Sequence, residues 1–97
     1  MPDPKVLFQG FVKTYMDAVD RSKGLTTVKP SCTKAISAAA AKPTKELITA
    51  AITALNSHVK AVKEAKENTT PPNKAKADAF AKSIEDITKK LKDQIPK

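Results

Sequence analysis

Glycine, cysteine, histidine and aromatic side chains are scarce in this 97-residue chain, and each scarcity excludes something. Two glycines, no tryptophan, three phenylalanines and one tyrosine leave it without the punctuation and alternation of a sheet protein, whereas Ala, Lys and Thr are abundant. The expectation is an all-α chain. The one cysteine rules out an internal disulfide, and four ligands of the usual types cannot be assembled at recognisable spacing, so no metal and no cofactor are expected. No apolar run exceeds a few residues, against the roughly 20 that cross a bilayer, which excludes a transmembrane segment. The opening Met1-Pro2-Asp3-Pro4 lacks the basic and apolar regions of a signal peptide. That start is compatible with a cytoplasmic protein or a mature secreted one. Asn68-Thr69-Thr70, a glycosylation sequon in a loop, leans towards secretion, although Pro71 follows it directly.

The chain has room for a single domain, residues 1–97, with one core. The stretch that organises it runs from Leu47 to Val62. Ile48, Ile52, Leu55, Val59 and Val62 step by four, three, four and three, the seam of an amphipathic helix. Ala50, Ala51, Ala54 and Ala61 lie beside that seam and allow a neighbouring helix to come close. This helix is predicted from about Thr44 to Lys66.

Before it, Asp3-Pro4 opens a first helix, and Val6, Leu7, Phe8, Phe11, Val12, Tyr15, Met16 and Val19 carry a broad apolar face through to Arg21. Gly24 is placed to end it, with Lys23 near the last carbonyls and Leu25 folding back in a Schellman cap. Val6-Leu7-Phe8-Gln9-Gly10 resembles the recognition core of a viral protease used to remove expression tags, yet its first three residues also extend the native-looking face. Gly10 inside a helix costs about 1 kcal/mol relative to Ala.

A short second helix is predicted from Ser31 to Ala41, with Cys32, Ala35, Ile36 and Ala39 inward, and Pro43 breaks or kinks the chain after it. Residues 67–73 form a loop rich in proline and capping residues. A last helix follows from about Pro72 to Gln94, with Ala77, Phe80, Ile84, Ile87 and Leu91 on its seam. The fold expected is a compact antiparallel bundle of four helices, the second short.

The net charge of +8 is spread along the chain. Its densest patch, Lys89, Lys90 and Lys92, resembles a short polyanion-binding pattern, but lysines at helical spacing are usually a solvated face. Specific nucleic-acid recognition is not expected. Arg21 is the only arginine, and the aromatics sit on core faces.

No catalytic signature is present. Cys32 near a helix N-terminus and His58 at the edge of the third seam are the one conceivable nucleophile and base, and both read more simply as a buried thiol and a boundary imidazole. Cys32 also allows a disulfide-linked dimer as an alternative to a monomer.

Two non-enzymatic functions fit the amphipathic pattern. The first is a carrier holding a hydrophobic ligand, a fatty acid or sterol, or meeting a lipid surface, with a pocket lined by Phe8, Phe11, Tyr15, Ile52, Leu55, Val59, Phe80, Ile84 and Ile87. The second is an interaction or effector module presenting a helical face to a protein partner. Tyr15, Met16, Val19 and Val28 discriminate between them: around a cavity with Phe80 and Leu55 they favour the carrier, as an external patch the partner.

Overall fold

In a computed structural model, residues 3–22 and 24–96 are described, and they form four helices joined in a closed ring. The helices are α1 (Pro4–Arg21), α2 (Pro30–Ala41), α3 (Lys45–Glu64) and α4 (Asn73–Asp93), with a short 3-10 turn at Lys66–Asn68. Each helix packs on its two neighbours in the ring, α1 on α2 and α4, α3 on α2 and α4. The expected all-α four-helix bundle is therefore observed.

The helix boundaries follow from local chemistry. Asp3 caps α1 by accepting from the Lys5 amide at 2.9 Å, and Pro4 occupies the first turn, where its missing donor is not needed. Past the end of α1, Gly24 takes φ +86°, a left-handed conformation that an L side chain rarely adopts. The Leu25 amide donates to Ser22 O at 3.3 Å, an i→i−3 turn in place of the longer bond of the expected Schellman cap, and the Lys23 part of that expectation lies outside the described residues. Pro43 breaks the chain outright. α2 stops at Ala41, Lys42 turns extended, and Thr44 restarts the helix by accepting from the Leu47 amide. α3 ends two residues earlier than its apolar pattern suggests, because Ala65 turns extended and the 3-10 turn takes over.

The core comes from all four helices. Phe8 and Tyr15 of α1, Ile36 of α2, Ile48 and Leu55 of α3, and Ile84, Ile87 and Leu91 of α4 are fully enclosed. Phe8 packs against Phe11 with ring centres 5.5 Å apart, so the protease-like pentapeptide contributes a central core side chain. Gly10 is exposed on the opposite side of that helix, with open space around the position of an added Cβ.

One seam differs from its expectation. The buried positions of α3 are Ile48, Ala51, Leu55, His58 and Val62, while Ile52 and Val59 are half-buried. The face is turned by about one residue because α2 and α4 press on α3 from both sides, and a small alanine and a fully hydrogen-bonded histidine take the central line.

α2 has 12 residues against 18 to 21 in the other helices, so it covers its neighbours only in part. The connector before it completes the layer. Leu25 and Val28 pack onto the core from this irregular segment, whose backbone polar groups then require partners inside the bundle.

Candidate functional site

Those partners form a polar cluster beneath the connector. Tyr15 of α1 and His58 of α3 meet with Oη and Nδ1 2.7 Å apart, the Lys29 amide donates to Tyr15 Oη at 2.9 Å, and His58 Nε2 lies 2.8 Å from Thr26 Oγ1. With Lys29 already donating to the phenol oxygen, the phenol proton goes to Nδ1. We therefore assign the imidazole proton to Nε2, from which it donates to Thr26. Phe80 of α4 closes the cluster edge-on, its ring centre 5.1 Å from that of His58. Side chains from α1, the connector and α4 thus hold the imidazole of α3.

This environment sets the protonation states. Burial, and to a lesser extent the Lys29 charge, push His58 down to about 4, so it is neutral at physiological pH. Burial likewise raises Tyr15 and, more weakly opposed by neighbouring hydrogen bonds, the Cys32 thiol. Both imidazole nitrogens are engaged, which leaves His58 no free position from which to deprotonate Cys32. The helix N-terminus does not activate that thiol, since burial prevails.

Cys32 is 1% exposed, and its Sγ contacts Ala54 O at 3.4 Å. The thiol is thus enclosed in the folded chain, and a disulfide to a second copy would need the start of α2 to open.

Next to the cluster, Asn68 of the 3-10 turn is buried. Its Nδ2 donates to Val62 O at 2.8 Å, tying the turn to the end of α3, while its Oδ1 has no partner.

Another recess lies where the last turn of α1 meets the first half of α4. It is a groove of about 390 Å³ lined by Ala18, Arg21, Ser22, Ala75, Lys76, Ala79, Phe80 and Ser83. Alanines at 18, 75 and 79 are too small to fill the space between the two helices, and Phe80 lies at its inner end. A second recess of about 350 Å³ between α2 and α3 is lined by Lys29, Ser31, Cys32, Ala54, Ser57, His58 and Ala61.

The chain matches no protein-family model, no curated protein and no solved structure.

The nine predicted pocket residues come together, but as packing. Phe8, Phe11, Tyr15, Leu55, Phe80, Ile84 and Ile87 are buried against one another in the core, and Ile52 and Val59 pack half-buried at its margin. Of these nine, Phe80 alone lines the α1–α4 groove. Tyr15 and Val19 are buried, Val28 is half-buried, and Met16 is 47% exposed, so the discriminating set forms neither a cavity wall with Leu55 and Phe80 nor one external patch. Lys89, Lys90 and Lys92 are all exposed on the last turns of α4. Buried Leu91 stands between Lys90 and Lys92, which point about 200° apart around the helix, so the three do not converge on one anion.

Sequence reasoning passed over Ala18, Arg21, Ser22, Ala75, Lys76, Ala79 and Ser83. A run of small residues facing one another across two helices leaves space only when the helices are paired, and that pairing is a property of the fold.

Proposed function

We propose that this chain is a small non-enzymatic binding protein for a hydrophobic ligand, and that the α1–α4 groove, rather than the bundle interior, receives it. The observation that supports this reading is the groove itself. It is concave, floored by the buried Ala18 and Phe80 and walled by the exposed Ala75 and Ala79, and its volume falls within the roughly 300–1,000 Å³ of small-molecule sites. An interior site would require separating side chains that already fill the core, at the cost of their dispersion contacts.

The test is native mass spectrometry of the protein before and after organic extraction, and again with added alkyl ligands. One-to-one uptake is expected, and Ala79→Phe, which fills the groove from an exposed position, should abolish it. Uptake that persists in Ala79→Phe would move the ligand elsewhere, and no uptake by the parent protein would refute the reading.

A further inference from the structure

We infer that the groove selects an anionic amphiphile, a medium-chain carboxylate whose head group is held by Arg21 and Lys76 and whose chain lies on Ala18, Ala79 and Phe80; this rests on the hydrophobic-ligand reading of the same groove. Two cations and no carboxylate line it. Arg21 belongs to the last turn of α1 and is exposed, with its guanidinium available for bidentate contact to a carboxylate. Lys76 comes from the opposite wall, is half-buried and adds a second positive charge to the lining.

The start of α4 adds to the same potential. Its first turn contains no acidic residue and its N-terminus has no side-chain cap, so no side chain of that turn offsets the positive end of its dipole. The Ser83 hydroxyl stands at the other end of the lining, and the distance from Lys76 to Ser83 is two turns of α4, about 10 Å. An alkyl chain laid along that line meets alanine methyls and the Phe80 ring. Polarity therefore runs from a cationic mouth to an apolar floor, the profile of an amphiphile rather than of a neutral hydrocarbon.

Three ligands of equal chain length separate this inference from the reading beneath it. Decanoate, decanol and decylammonium are titrated below their aggregation concentrations at pH 7.4 in low and moderate salt, by calorimetry and native mass spectrometry. Decanoate should bind at least about tenfold more tightly than decylammonium, and the preference should shrink with salt. In Arg21→Gln/Lys76→Gln that preference should disappear while decanol binding is retained, which also shows that the variant is folded. Equal binding of all three would overturn the head-group assignment and leave the hydrophobic-ligand reading standing, as would a preference for decylammonium. Failure of all three to bind would overturn both.

Discussion

Tyr15 and His58 are 43 positions apart in the sequence, yet their side chains share a 2.7 Å hydrogen bond at the centre of the bundle. The pair joins α1 to α3, which lie across the ring from each other, and through Lys29 and Thr26 it also anchors the connector. Tyr15→Phe preserves the ring packing but strands His58 Nδ1 and the Lys29 amide. A loss of about 1–3 kcal/mol is expected in urea unfolding, since a buried group left without its partner costs its full desolvation. A loss near zero would mean that water replaces the phenol.

The same imidazole makes stability depend on pH in a defined direction. His58 titrates near 4 when folded and at about 6.5 when unfolded, so the unfolded chain takes up the proton first as pH falls. Its contribution is complete above pH 6.5 and declines through that window to a plateau below 4. The total is about 3 kcal/mol, with about 2 kcal/mol of it lost by pH 5, before most carboxylates titrate. Because the chain has one histidine, its NMR signal can be followed alone and should move by no more than about a tenth of its full range between pH 7.5 and 5. A midpoint near 6.5 would show that the cluster is open to solvent.

The two glycines should respond in opposite senses. Gly10 is exposed within α1 with nothing near an added Cβ, so Gly10→Ala should stabilise the fold by up to about 1 kcal/mol. At φ +86°, Gly24→Ala should destabilise it by about 1–2 kcal/mol. Thermal unfolding of both variants is the check, and equal effects would contradict the assigned backbone.

Phe8 tests whether the amino-terminal segment belongs to the fold. Phe8→Ala removes a completely enclosed ring and should cost about 3–5 kcal/mol, read from denaturant midpoints. An effect below about 1 kcal/mol would fit a dispensable extension.

Cys32 should behave as an inert thiol. A disulfide reagent is expected to modify it at least about a hundredfold more slowly in the native protein than in guanidinium, because reaction waits on local opening. Comparable rates would indicate a loosely held α2.

Periodicity carried most of the fold. Ala77, Phe80, Ile84, Ile87 and Leu91 face inward as their spacing predicts, and Pro43 separates two helices where its missing donor requires a break. The pattern misplaced the centre of α3 because Ile52 and Val59 outrank Ala51 and His58 in hydropathy. Burial of His58 depends instead on Tyr15 and Thr26, which reach it only through the tertiary fold. The groove was illegible for a similar reason. Ala18 and Ala79 are unremarkable along their own helices, and the space between them exists only once α1 lies against α4.

Asn68 gives the bond between the 3-10 turn and α3 a wider meaning. The nitrogen that donates to Val62 O is the atom to which an oligosaccharide would be attached at this sequon. A sugar there would replace one of the two hydrogens on that nitrogen and force a bulky hydrophilic group into a site that is 4% exposed. Glycan and native turn therefore compete for one side chain, and in the folded chain the asparagine of this sequon serves as a structural clasp.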